Sequence, residues 1–301
     1  MKKINTVFIT LCCIIIIYII VVQILKSCLR HSFKKRIRKL HHLDISRDVI
    51  RSRLSGVGIY YINLNKATNR RSDMQTFIQK YNINNIQRIE GVYGKNVKDN
   101  TYTFSDGREI RIRNEYPSSD YNMAELGCFL SHVVALKTAY ENGDEYALIL
   151  EDDVDMNMVK VWDEGIKDVI QKAPENWNSI QLYESVMDLK NITYKNLPKN
   201  TYVPRTTYKY CGCVAYIMNR QSIKTFLEHL DCINNNTIHI KKIHTRLPID
   251  FYMYDFFPPE TVYMTNSRFI TNNISNKTQI QTVTECSLIN YETLFLGNFR
   301  A

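Results

Sequence analysis

Tyr146-Ala-Leu-Ile-Leu-Glu-Asp-Asp-Val-Asp155 is the stretch on which the fold turns. Its first half is almost wholly apolar, as expected of a strand buried on both faces. Its second half holds four carboxylates, Glu151, Asp152, Asp153 and Asp155. In open α/β sheets, ligands bind beyond the carboxyl ends of the strands, and the acidic cluster falls at such an end. Carboxylates crowded this closely repel one another. A hard divalent cation, Mn²⁺ or Mg²⁺, offsets that repulsion because it prefers carboxylate oxygens. The competing role is capping of a following helix, for which one or two of the four would suffice. Taken alone, the cluster also suits a metal-dependent phosphoesterase or nuclease.

Outward from this stretch, strand and helix signals alternate. Upstream, Asn122 with Glu125 three residues on forms a capping box. Phe129, Leu130, Val133, Leu136 and Tyr140 supply the buried face of the helix it starts, and Asn142-Gly143 supplies its stop. Earlier still, Gly58 to Leu64 is β-rich. Met74, Phe77, Ile78 and Tyr81 mark a helix face, and Ile86 to Val92 reads as a second strand. A polar loop is expected from Tyr93 to about Asp120. Downstream, Trp162, Ile166, Val169 and Ile170 line a helix, and Ser179 to Tyr183 and Cys213 to Met218 read as strands. Ile223, Phe226, Leu227 and Leu230 face inward from a further helix. The segment 231–246 reads as an irregular excursion. This alternation predicts an α/β domain over 56–301 with a mostly parallel central sheet.

The N-terminal part differs in kind. After a short tail at 1–6, residues 7–25 are uncharged and apolar over 19 positions, about 28 Å as a helix, which predicts a single transmembrane span. A basic stem follows over 26–55. Residues 1–53 carry 12 Lys/Arg against Asp44 and Asp48, whereas the rest carries 27 basic and 28 acidic residues. The body is thus near neutral, with no electrostatic reason to expect nucleic acid as a partner. The charge bias favours a cytosolic body, while sequons at Asn191, Asn235, Asn273 and Asn276 permit a lumenal one. Cys128, Cys211, Cys213, Cys232 and Cys286 show no zinc-finger spacing and read as reduced core residues.

Three segments decide the chemistry. Tyr61-Ile-Asn-Leu64 with Arg70-Arg71, Ala124-Glu-Leu-Gly-Cys-Phe-Leu-Ser-His132 and Ala147-Leu-Ile-Leu-Glu-Asp-Asp-Val154 together resemble glycosyltransferase family 25, the lipopolysaccharide-synthesis and collagen galactosyltransferase type. Arg88 to Gly94, Gly212 to Tyr216 and Pro248-Ile-Asp250 extend the similarity, with Tyr93 standing where the family commonly has Asp. The resemblance implies a GT-A fold and inverting transfer of a hexose, galactose or glucose, from a UDP-sugar. The acceptor is the hydroxyl of a glycan, a lipid-linked glycan or a protein.

The resemblance also matches Glu151, Asp152 and Asp153 to the family's metal-binding acidic motif. Asp153 is the expected chief ligand, completed by Glu151 or Asp155, and Asp152 is placed with the donor. Asn63 and Arg70, at the end of the first strand and on the turn after it, can reach the nucleotide or its phosphates. Glu125 is either a capping partner or a donor contact, and the motif raises Ser131 and His132 as donor-site residues. Asp250 is the candidate base, with Glu184 the runner-up. Two other functions stand beside transfer: the phosphoesterase or nuclease, and a non-catalytic, membrane-tethered carbohydrate-binding protein.

Overall fold

The computed structural model describes residues 38–183, 185–186, 201–207, 210–243 and 247–265, with scattered helical positions between 16 and 35. Two compact units, Met1–Asp44 and Ile45–Ala301, divide the chain. In the first, the expected span at 7–25 is corrected. Among the described residues no helix is long and apolar enough to cross a membrane. Positions 7–15, 17, 22 and 25 of that segment lie outside the described residues. Apolar length is necessary for a span but does not by itself establish one. The membrane anchor and the single-pass location inferred from length alone are therefore dropped.

The second unit opens with α1 (Arg47–Arg53), capped by the Ser46 hydroxyl, which accepts from the Val49 N–H. Ile50 and Leu54 are fully buried. There follow β1 (Gly58–Asn63), α2 (Thr68–Tyr81), β2 (Ile86–Glu90), β3 (Thr101–Thr103), β4 (Glu109–Asn114), α3 (Met123–Glu141) and β5 (Tyr146–Glu151). The second half holds α4 (Ile166–Lys172), β6 (Ser179–Gln181), β7 (Ser185–Val186), β8 (Val203–Pro204), β9 (Tyr210–Cys211), β10 (Ala215–Asn219), α5 (Arg220–His229), β11 (Thr237–Ile240), α6 (Ile249–Phe256) and β12 (Val262–Met264). The capping box of α3 forms as its sequence dictates: Asn122 Oδ1 accepts from the Ala124 and Glu125 N–H groups, and Glu125 Oε2 accepts from the Asn122 N–H.

The main sheet has seven strands in the order β2-β1-β5-β10-β6-β12-β8. It is mixed, which corrects the expected mostly parallel sheet. β1 pairs parallel with β2 and β5, and β6 with β12. β10 runs antiparallel to both β5 and β6, and β8 antiparallel to β12. An apolar run buried on both faces reads the same in either direction, so its composition carries no sense of polarity. Ala147, Leu148, Ile149 and Leu150 have no solvent exposure. Tyr60, Ala147, Ile149, Tyr216 and Met218 pack against α3, α5 and α6. Ile59, Tyr61, Leu148, Leu150 and Ile217 pack against α1, α2 and α4. Helices thus cover both faces of the sheet.

The two segments expected to be irregular meet in a second sheet, β11-β4-β3. β4 lies in the polar stretch after Tyr93, and β11 in the stretch after Asp231. They pair in parallel, Thr237 opposite Arg111 through Ile240 opposite Asn114. Ile110, Ile112, Ile238 and Ile240 point inward at period two. Arg111 and Arg113 on β4 and His239 on β11 mask that alternation in the sequence.

Candidate functional site

The carboxyl ends of β1 and β5 lie side by side, since the two strands pair in parallel. Asn63, the last residue of β1, is fully buried, and its Nδ2 donates to Asp152 Oδ2 at 2.6 Å and to the Ala67 carbonyl at 3.1 Å. Its Oδ1 accepts from Arg71 Nε at 3.1 Å and from Arg88 Nε at 3.0 Å. Arg70, in the first turn of α2, donates to Asp152 Oδ1 at 2.7 Å and reaches Asp153 Oδ2 at 3.9 Å. Three arginines and one amide therefore brace Asp152 and the start of α2. Burial pushes the Asp152 carboxyl up, with Arg70 and Asn63 opposing. Arg88 and Arg71 had no assigned role in the sequence. The one sign of Arg88 in the sequence is its place in the predicted second strand, one position before Ile89, and that strand pairs with β1.

The remaining carboxylates divide. Asp155 is the N-cap of a short 3₁₀ helix, Met156–Val161, accepting from the Asn157 N–H and Nδ2 at 3.0 Å. Asp153 is only 9% exposed, and its Oδ1 has no hydrogen-bond partner. Burial, then the neighbouring Glu151 carboxylate, raises Asp153 to about 7, against the pull of Arg70. A buried acceptor without a donor, beside a second carboxylate, suits a hard divalent cation. Glu151 and Asp153 are the residues that would hold it.

From α3, Glu125 is taken by the capping box. The Ser131 hydroxyl donates to the Gly127 carbonyl at 2.6 Å and accepts from the Val92 N–H at 2.8 Å. Ser131 thus ties the helix to the segment following β2, and there Gly94 leaves no room for a Cβ against the Met123 carbonyl. His132 does reach the site: its Nε2 lies 3.7 Å from Glu151 Oε1 and its Nδ1 3.1 Å from the Tyr216 hydroxyl. Cys128, one turn earlier, joins them; a Cys128, His132 and Glu151 ligand atom lie within 4.8 Å of one another. Burial and the Glu151 charge push the Cys128 thiol well above its ordinary range. The cysteine had been read as core, although its spacing from His132 places both on one helix face.

Asp250 arrives from the first turn of α6. Its Oδ2 accepts from the Gly212 N–H at 2.8 Å and its Oδ1 from the Phe251 N–H at 3.1 Å. Burial raises its carboxyl, these amides lower it, and the charge of Glu151 raises it further. Gly212 holds φ +95°, which favours glycine, and its carbonyl accepts from Gln181 Nε2 at 2.7 Å. Glu184 lies outside the described residues.

Residues 57–253, well over half of the chain, match the family described as glycosyltransferase family 25 (LPS biosynthesis protein). The chain belongs to glycosyltransferase family 25. No curated protein matches it. The family-25 match spans every strand that frames the acidic cluster, from β1 to β11, and runs into α6 as far as Met253, so it includes Asp250. Where this family-25 chain has Tyr93, the Lys66 ammonium sits 3.6 Å above the ring centroid, a cation–π contact.

Proposed function

We propose that the chain moves a hexose, galactose or glucose, from a UDP-sugar to an acceptor hydroxyl, with inversion and with a divalent cation. Membership of family 25 supports sugar transfer. The observation that carries the metal dependence is the unpartnered Asp153 oxygen beside Glu151 at the carboxyl end of a fully buried strand. Mn²⁺ or Mg²⁺, when bound, neutralises the diphosphate leaving group.

The protein's own residues do the rest. Glu151 and Asp153 hold the cation. Arg70, braced through Asp152, offers its guanidinium on the donor side, where it is partly exposed. Asp250, fixed by two backbone amides, takes the proton from the acceptor hydroxyl as that oxygen attacks the anomeric carbon. Its raised affinity for protons brings it closer to the working pH of a general base. The acceptor is the hydroxyl of a glycan, a lipid-linked glycan or a protein.

The test is release of UDP from UDP-galactose and UDP-glucose by the full chain with Mn²⁺. The wild type is expected to turn over one of them, and Asp153→Ala to lose that turnover with its circular dichroism unchanged. Full activity of Asp153→Ala in chelator would exclude the metal role. Hydrolysis of a phosphodiester without use of any nucleotide sugar would reassign the carboxylates to a phosphoesterase.

A further inference from the structure

Metal-assisted transfer uses Glu151 but gives no task to the thiol and imidazole beside it. Cys128 and His132 stand one turn apart on α3, and one ligand atom from each lies within 4.8 Å of the other and of a Glu151 oxygen. In a tetrahedral zinc site the bonds are about 2.3 Å to sulfur and about 2.0–2.2 Å to nitrogen or oxygen. Ligand atoms then stand about 3.5 Å apart, so side-chain shifts of about 1 Å would close these three on one ion.

A second observation points the same way. His132 is 1% exposed, yet its Nε2 has no hydrogen-bond partner. A buried ring nitrogen left so costs free energy. The nitrogen faces Glu151 at 3.7 Å, while Nδ1 meets the Tyr216 hydroxyl at 3.1 Å. With Nδ1 as the donor in that contact, the Nε2 lone pair is free for a metal, the arrangement in which an outer partner sets the tautomer of a ligating histidine. A thiolate–imidazole–carboxylate set does not suit Mg²⁺ or Mn²⁺; it suits a borderline ion such as Zn²⁺.

We propose that Cys128, His132 and Glu151 form a distinct site for a thiophilic divalent cation such as Zn²⁺, with its fourth position open, and that Glu151 is shared with the hard-cation site at Asp153. The two sites therefore compete for one carboxylate. The competition rests on the transfer reading; the binding does not.

The test is absorption spectroscopy of the full chain with Co²⁺ as the probe. Thiolate ligation gives an intense charge-transfer band, which is expected to saturate stoichiometrically and to be displaced by Zn²⁺ but not by Mg²⁺. Cys128→Ser is expected to lose the band. Cys213→Ser is expected to keep it, because that neighbouring buried thiol is engaged with Tyr254 instead. His132→Gln, which keeps a side-chain amide in place of the ring, serves as a second probe and is expected to weaken the band even if Cys128→Ser folds poorly. A band that persists unchanged in Cys128→Ser and His132→Gln, or that is lost in Cys213→Ser alone, overturns the assignment. A chain that shows the band yet uses no nucleotide sugar supports the site while refuting the transfer reading.

Discussion

Consider Asp153→Asn, which keeps the shape of the side chain and removes its charge. In the folded protein Asp153 titrates at about 7, against an ordinary value of 3.8, because burial and then Glu151 disfavour its charged form. A carboxyl raised in this way holds a proton when folded that the unfolded chain has already released. Folded-state stability therefore falls as pH rises from about 4 to about 7, and the whole penalty stands above that window. At about 1.4 kcal/mol per pH unit, the gap between 3.8 and about 7 amounts to about 4 kcal/mol. Asparagine escapes that penalty but brings an amide whose groups are imperfectly paired, at a cost of about 1–2 kcal/mol. The net gain expected near pH 8 in chelator is about 2–3 kcal/mol, or about 5–10 °C in Tm for a domain of this size. Scanning calorimetry of the full chain in chelator, near pH 5 and near pH 8, reads this directly. The gain should shrink at the lower pH, and Mn²⁺ should raise the Tm of the wild type but not of the variant. A variant that melts below the wild type near pH 8 in chelator would refute the reasoning, since the carboxylate would then be holding the fold together rather than awaiting a cation.

Arg70→Ala removes the ion-pair partner of the Asp152 carboxylate and leaves Asn63 as its side-chain hydrogen-bond donor. The arginine side chain is 28% exposed, so after allowance for solvent the loss should be about 1–2 kcal/mol in urea unfolding, recovered as acid protonates Asp152. Gly127→Ala would set a Cβ 2.6 Å from the Val92 carbonyl and 2.7 Å from the Gly94 nitrogen, both backbone atoms. Overpacking of about 1–3 kcal/mol then outweighs a helix-propensity gain of about 1 kcal/mol, and urea unfolding should show a net loss. At the small sheet, the Lys242 N–H and His239 hold Glu115 below the usual carboxylate range, and His239 and Lys241 do the same for Asp231. Their contribution is complete above about pH 5 and is lost as pH falls through the lowered values. Circular dichroism against pH should therefore show His239→Gln unfolding in less acid than the wild type.

The parts of this fold that were legible in the sequence are those written in short range. The α3 capping box needs only Asn122 and Glu125, and β5 needs only its unbroken apolar run. Strand direction was not legible, because β10 would look the same parallel or antiparallel. The small sheet was hidden because β4 alternates isoleucine with arginine, and its pairing with β11 joins segments more than a hundred residues apart. At the site, Asn63 at the end of β1, Arg70 in the first turn of the following helix, and Asp152 and Asp153 just past β5 lie together. Ser131 turned inward to the Val92 amide, and Asp155 became a cap. Those two outcomes depend on which way a loop bends after its helix or strand, a matter of tertiary contact rather than residue type.

The reversed strand also explains how Asp250 reaches the acidic cluster. Because β10 is antiparallel to β5, Ala215 at its start pairs with Leu150 near the end of β5. The residues that lead into β10 therefore sit where β5 delivers its carboxylates, and the Glu151 N–H donates to the Val214 carbonyl at 2.8 Å. Gly212, two residues before that carbonyl, turns its own N–H to Asp250 at 2.8 Å. Had β10 run parallel, its entry would lie at the opposite end of the strands, a strand length of about 17 Å away. Gly212 would then have no means of fixing Asp250 beside Glu151. The departure from a parallel sheet is thus what brings a buried carboxylate from α6 within electrostatic reach of Glu151 at the end of β5.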